Sequence, residues 1–251
     1  AFPDREYLVA EGKRRTYAQM DERANRLAHH LAAQGVRPGD HVGIYAYNSV
    51  EWVESLWAIF KLRAVWININ YRYVEDELRY LFDNADLVGL IYAREFAPRI
   101  EGVRDALPKL RFSLVIEDGS GADCASLGSQ EYEPALVSGS AERDFAKRSG
   151  SDRYILYTGG TTGLPKGVVW RHEDVFFALG GGVDPLTGKR AERPEEMAER
   201  GKAGGVTFLP IAPLMHGATQ WAVMGGSFIG RRNVLVAKLD PKRVWRLVEQ
   251  E

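Results

Sequence analysis

The sequence predicts an α/β fold in which helices cover mostly parallel sheets. Two observations carry that expectation. Segments with strand-like and helix-like patterning alternate along the chain, a β-α-β-α rhythm, and the strand-like segments are short, nearly continuous apolar runs, as strands buried on both faces require. A length of 251 residues with 45% apolar content is enough for a sizeable core. Taken in order, Thr16 and Gln19 have capping-box spacing, and Met20, Ala24, Leu27 and Leu31 then fall on one helical face. Gly35 ends that helix, and Arg37, Pro38, Gly39 and Asp40 make a turn. Residues 41–47 read as a strand. Asn48 with Glu51 is expected to cap the next helix, which buries Trp52, Leu56 and Phe60. The pattern continues with a strand at 65–69, a helix at 74–82, a strand at 87–92, a helix at 100–107 and a strand at 112–116.

From 117 to 152 the pattern weakens and Ser and Gly accumulate, which predicts surface chain with one short helix at 131–137. Regular patterning returns at Tyr154 with a strand, a glycine-rich loop, a strand at 167–170 and a helix at 173–179. Half the residues of 184–203 are charged and the signs cancel. That run is expected to be a mobile, solvated insertion with a short helix after Pro194. A strand near 206–209, a helix after Met215 and a strand at 233–237 follow. Asp240 caps a last helix with Pro241 at its first position, and Val244, Leu247 and Val248 share one face of it.

Charge and composition exclude several classes. With 33 Lys plus Arg against 34 Asp plus Glu, the formal net charge is -1. That gives no basis for nucleic acid as a partner. A single cysteine, Cys124, allows no internal disulfide and suits a reducing compartment. It lies among small polar residues and reads as a surface thiol. The opening residues are too charged for a signal peptide, and no apolar run reaches the ~20 residues of a membrane helix. The five histidines (His29, His30, His41, His172 and His216) lack metal-ligand spacing.

The chemistry concentrates in Tyr154–Trp170, YILYTGGTTGLPKGVVW. Bare glycines between two strands let backbone N–H groups converge on one point, a nest suited to phosphate. The hydroxyls of Thr158, Thr161 and Thr162 add donors, and Lys166 adds a point charge matched to phosphate oxygens. The loop is not a P-loop, because Gly167 stands where Ser or Thr should follow the lysine. No G-x-G-x-x-G turn and no G-x-S-x-G elbow occurs.

The stretch YTGGTTGLPKGVVWRHEDV closely resembles the phosphate-binding signature of AMP-forming acyl-CoA synthetases, members of the acyl-adenylate-forming superfamily. Three further stretches fall in the family order. RTYAQM resembles the L-T-Y-x-E-L motif, FKLRAVWININYR the K-x-G-A-x-x-x-P-x-N motif, and PLMHG the P-L-x-H-x-x-G motif. Arg63 stands where the family usually has glycine, and Asn68 where proline is common. The resemblance implies layered α-β-α lobes belonging to an incomplete large N-terminal domain of an adenylate-forming enzyme. One lobe would span about 40–182. The second would combine 1–39 with 206–251, around the insertion at 184–203. Family members continue into a Y-G-x-T-E-like motif, a ribose-binding aspartate, a hinge and a C-terminal domain with an adenylation lysine, none of which is found in this sequence.

The activity implied is ATP-dependent conversion of an apolar carboxylic acid, a fatty acid above all, to an acyl-adenylate and then to a CoA thioester. ATP, Mg²⁺ and CoA are the implied cofactor and co-substrates, and the chain alone is expected to be inactive. Gly159, Gly160, Thr161, Thr162, Gly163 and Lys166 would hold the β- and γ-phosphates, and Thr158 would lie near Mg²⁺. Lys166 and His216 are the expected catalytic side chains, with His216 lining the acyl and CoA approach. His172 is expected to be structural, and Trp221 and Met224 are candidates for the wall of an acyl tunnel. The expected setting is cytoplasmic, with peripheral membrane contact to collect an apolar acid. Two other readings remain open. One is a non-catalytic nucleotide-binding or interaction module, the other an aryl-acid or luciferase-like adenylate-forming enzyme.

Overall fold

The computed structural model describes residues 1–159, 163–184, 187–202 and 205–251. The chain opens with a hairpin, β1 (Glu6–Ala10) and β2 (Lys13–Thr16), turning on Glu11 and Gly12 at φ 49° and 77°. Positive φ at both turn residues matches the twist of the flanking strands. This hairpin is absent from the sequence expectation, although an apolar run ending in a Glu-Gly pair is its signature. Helix α1 (Tyr17–Ala33) begins as expected. The Thr16 hydroxyl accepts the Gln19 N–H at 3.2 Å, and the Gln19 side chain accepts the Thr16 N–H at 2.9 Å. It stops at Gly35, whose φ of 84° lets Val36 N–H return to the Leu31 carbonyl at 3.1 Å.

Next come β3 (His41–Tyr45), α2 (Val50–Lys61), β4 (Val65–Asn68), α3 (Glu75–Asn84), β5 (Leu87–Ala93), α4 (Ala97–Gly102), β6 (Phe112–Ile116), β7 (Gln130–Glu131) and α5 (Tyr132–Ser138). Their strands form a five-stranded sheet in the order β4-β3-β5-β6-β7, parallel at every pairing. Every residue of β4 and β6 is buried, which is why these strands are apolar but for one residue each, Asn68 and Ser113. The helix expected at 100–107 is instead α4 followed by a separate 3₁₀ turn, Arg104–Ala106. Pro98 favours the earlier start, since proline suits a first helical turn.

The remainder contains β8 (Arg153–Thr158), β9 (Lys166–Arg171), α6 (His172–Ala178), α7 (Pro194–Arg200), β10 (Thr207–Phe208), α8 (Gly217–Phe228), β11 (Arg232–Leu235) and α9 (Pro241–Gln250). β8 and β9 form an antiparallel pair, and β8 packs beside β4. A four-stranded sheet has the order β10-β11-β1-β2. The segment 1–39 therefore divides, which differs from the expectation that all of it joins 206–251. Its hairpin joins the β11 sheet through β1, whereas α1 packs on α2 and α5. There the fully buried Glu54 carboxylate accepts from Arg23 at 3.0 Å and from the Tyr132 hydroxyl at 3.2 Å. Within 184–203, Ala191 and Met197 are buried. No residue of α9 is buried, and Trp245 is 69% exposed. No helix is long and apolar enough to cross a membrane among the described residues.

The cap of α2 differs from the expectation. Ser49, not Asn48, accepts the Trp52 N–H, at 3.1 Å. Asn48 is a buried fastener. Its amide donates to the carbonyls of Val236 at 3.0 Å and Ala212 at 3.3 Å, and its oxygen accepts the Leu214 N–H at 2.6 Å. At the other end of α2, Arg63 takes the left-handed position (φ 58°) of a Schellman ending, with Ala64 N–H on the Ile59 carbonyl at 3.2 Å. A residue with a Cβ adopts this conformation at a cost of about 1 kcal/mol, which accounts for the usual preference for glycine there.

Asn48→Ala strands buried polar groups on both chain segments that Asn48 joins. We expect a loss of about 3 kcal/mol in unfolding free energy, read from urea denaturation. A loss below about 0.5 kcal/mol would show that water replaces the amide.

Candidate functional site

β8 and β9 hold the glycine loop between them. Thr158 and Lys166 are the last register pair of the hairpin, so they face each other where the loop departs. Gly160, Thr161 and Thr162 lie outside the described residues. Gly159 and Gly163 are exposed, and a Cβ on either would meet no atom within 4 Å among the described residues. Gly163 has φ 100°, which L side chains rarely adopt. Lys166 is exposed and makes no ion pair among the described residues, while Pro165 before it is buried. The ammonium is thus on an anchored base, with its donors unspent among the described residues.

Thr158 and Gly159 share a small pocket of ≈ 90 Å³ with His216, Gly217, Asn68 and Tyr157. Thr158, Gly159 and His216, predicted separately, are therefore brought together, whereas Lys166 and Gly163 are not on the pocket wall. His216 is the N-cap residue of α8 and its side chain caps nothing. Burial, then the nearby Arg72 charge, holds the imidazole below its ordinary pKa, which favours the neutral ring at pH 7. Gly217 is glycine for a steric reason. A Cβ there would lie 2.6 Å from the Trp221 ring and 2.9 Å from Leu156.

Residues 212–216 reach this position without helix or strand, and buried polar side chains fasten them. Asn68 donates to the Met215 carbonyl at 2.8 Å. Gln220, fully buried, donates to the Leu214 carbonyl at 2.6 Å and accepts the Tyr154 hydroxyl. Thr219 donates to the Ala212 carbonyl at 2.9 Å, beside the Asn48 contacts above. Sequence reasoning missed Asn48, Asn68 and Gln220 as fasteners. The available signal was a carboxamide inside an apolar run, as in Val65-Trp66-Ile67-Asn68-Ile69.

A larger cavity of ≈ 500 Å³ lies further along α8, lined by Trp57, Phe60, His172, Phe176, Met224 and Phe228 among others. His172 meets the Phe60 ring edge-on at 4.6 Å, and its Nε2 lies 3.1 Å from the Arg153 carbonyl. Burial lowers its pKa. At the rim, Lys61 pairs with Asp21 at 2.6 Å. Met224 lines this cavity, whereas Trp221 packs against the core. With a rise of about 1.5 Å per residue, Met224 stands about 12 Å along the helix from His216.

The residues present do not make a Mg²⁺ site by themselves. Thr158 offers one hydroxyl, and no group of three His, Cys, Asp or Glu that could hold a metal occurs among the described residues. Such an ion, which prefers octahedral oxygen ligands, would need phosphate oxygens and water for most of its shell.

Comparison with known proteins places the chain. The family model for AMP-binding enzymes matches residues 1–251. The chain is 48% identical over 248 residues to a 3-oxocholest-4-en-26-oate–CoA ligase of Rhodococcus rhodochrous, covering 98% of this chain and 45% of that protein. It is 45% identical over 251 residues to a medium/long-chain-fatty-acid–CoA/3-oxocholest-4-en-26-oate–CoA ligase of Mycobacterium tuberculosis, covering 100% of this chain and 46% of that protein. Among solved structures, the N-terminal domain of FACL13 from Mycobacterium tuberculosis superposes with a TM-score of 0.80 at 28% identity, covering 99% of this chain and 57% of that one. The chain thus spans about half the length of the curated relatives it matches. With its mostly parallel sheets and its glycine hairpin set beside His216, the chain belongs to the AMP-binding enzyme family.

Proposed function

We propose that the protein activates an apolar carboxylic acid with ATP and passes the acyl group to CoA. The observation that carries the reading is the shared pocket of Thr158, Gly159 and His216. It joins the foot of a phosphate-suited glycine loop to the start of α8, the helix whose later residues Met224 and Phe228 line the apolar cavity. In the first step a carboxylate oxygen bonds to the α-phosphorus of ATP as the bond to pyrophosphate breaks. In the second, the CoA sulfur bonds to the acyl carbon, the bond to AMP breaks, and the thiol proton leaves to solvent.

Amides at Gly159, Gly160 and Gly163, with Thr161, Thr162 and Lys166, would bind the β- and γ-phosphates and stabilise the charge that builds on the leaving pyrophosphate. Thr158 would stand near the Mg²⁺ that accompanies the nucleotide. Neutral His216 would orient the acyl carboxylate or its adenylate at the pocket wall. The ≈ 500 Å³ cavity supports an acid with a bulky apolar body. The relatives, ligases of 3-oxocholest-4-en-26-oate and of medium- and long-chain fatty acids, make those acids the first candidates.

Product analysis with ATP, Mg²⁺, CoA and a panel of such acids tests the reading, using the full-length protein beside these 251 residues. AMP and pyrophosphate are expected from the full-length protein, with the shorter chain inert. ADP would overturn the reading. No turnover across the panel would favour a nucleotide-binding module.

Two further outcomes follow from the roles given. Lys166→Ala should lower kcat/KM for ATP by about 100-fold in a pyrophosphate-release assay, and unchanged kinetics would remove Lys166 from the site. Because the pKa of His216 is lowered, its neutral form persists as pH falls to the ordinary histidine value of about 6.5 and is lost only below it. The profile of kcat/KM should therefore fall on the acid side below that pH. His216→Gln should abolish that limb. An identical limb in the variant would assign the titration to another group.

A further inference from the structure

Two departures from the motif this chain resembles, Arg63 and Asn68, reach opposite ends of the strand that carries the glycine loop. The Arg63 guanidinium grips both oxygens of Asp152, just before β8, at 2.9 to 3.1 Å. Burial would raise the Asp152 pKa, but Arg63 and the Ser149 N–H hold it below the ordinary value. At the other end, Asn68 is 3% exposed and makes three bonds. Its oxygen accepts the Tyr157 N–H at 2.7 Å, and its nitrogen donates to the carbonyls of Tyr157 and Met215, each at 2.8 Å. Both pairs are separated by 89 residues, so β8 runs in the direction of β4 with fixed register.

Thr158 and Gly159 come directly after Tyr157, and His216 directly after Met215. One carboxamide therefore holds the two walls of the small pocket at a set separation. We infer that Asn68 is a positioning residue for the proposed reaction, fixing the glycine loop relative to His216. The chemistry selects this side chain. An aspartate would set a carboxylate against two carbonyl oxygens, and the proline of the resembled motif has no polar side-chain atom. Arg63 keeps the start of β8 docked independently, so loss of the amide should loosen the pocket more than the fold.

The kinetic part of this inference rests on the function proposed above, whereas its structural part does not. The experiment uses the full-length protein with Asn68→Ala, Asn68→Pro and Arg63→Gly. It reads hydrogen exchange at the Tyr157 amide and the kcat and KM for acid-dependent AMP release. For both Asn68 variants we expect Tyr157 exchange to rise at least about 10-fold. We expect kcat to fall about 10- to 100-fold with KM for the acid nearly unchanged, as a misplacement near 1 Å produces. Arg63→Gly should keep kcat within about 2-fold. If Asn68→Ala does not fold, Asn68→Pro decides, because the resembled motif carries proline at this position. Wild-type kcat in Asn68→Pro, or an equal kinetic loss in Arg63→Gly, would overturn the inference. If the wild-type protein releases no AMP, the functional reading fails. Tyr157 exchange then decides the positioning role alone, with unchanged protection overturning it.

Discussion

The structure depends on how the backbone of residues 212–216 is satisfied. This segment joins β10 to α8 without secondary structure, and Leu214 and Met215 are buried. Buried backbone polar groups need partners, and for the Leu214 N–H and the Ala212, Leu214 and Met215 carbonyls neither a ladder nor a helix supplies them. Side chains from three directions do: Asn48 after β3, Asn68 at the end of β4, and Thr219 and Gln220 from α8 itself. The segment that presents His216 is thus held from the ends of parallel strands, where α/β sheets place their ligands.

That arrangement explains why β8 can carry a long glycine loop. The β8–β9 pair is only two strands, and an isolated hairpin is marginal in water. Its outer strand β9 is largely exposed, with Val168 and Val169 at 43% and 60% exposure on opposite faces. What stabilises it is β8, where Tyr154, Ile155, Leu156 and Tyr157 are all buried, so that both faces of this strand are covered. Tyr157 spans the contact. Its hydroxyl donates to Asn84 at 2.7 Å while its backbone is held by Asn68, and burial pushes its own pKa up to about 12. Rigidity at the foot of the loop lets the glycines beyond it be chosen for access to a ligand.

The fold was legible where one physical cause dominates. Strands buried on both faces are mostly apolar, so β4, β5 and β6 declared themselves, and the Thr16 and Gln19 pair marked α1 to the residue. The glycine loop was legible because few structures need so many small residues beside one lysine. The fasteners were not. Asn48 sits two residues before α2, and local rules made it a cap, while its partners lie 164 to 188 residues away. No periodicity records a contact of that range. The same limit applies to α9, whose apolar residues are plain in the sequence although the pattern cannot say what they meet.

Arg63 shows how a local rule can be broken when a distant contact compensates. A left-handed helix ending favours glycine, and an arginine there carries a backbone cost. The bidentate bond to Asp152 offsets it, because planar guanidinium and carboxylate groups fit each other closely, and a half-exposed arginine loses little hydration in making it. The trade also does something glycine cannot, since it ties the end of α2 to the start of β8. Asn68 makes the corresponding trade at the other end of the strand. A position where proline would only stiffen one chain instead holds two chains together, and the pocket beside His216 takes its dimensions from that amide.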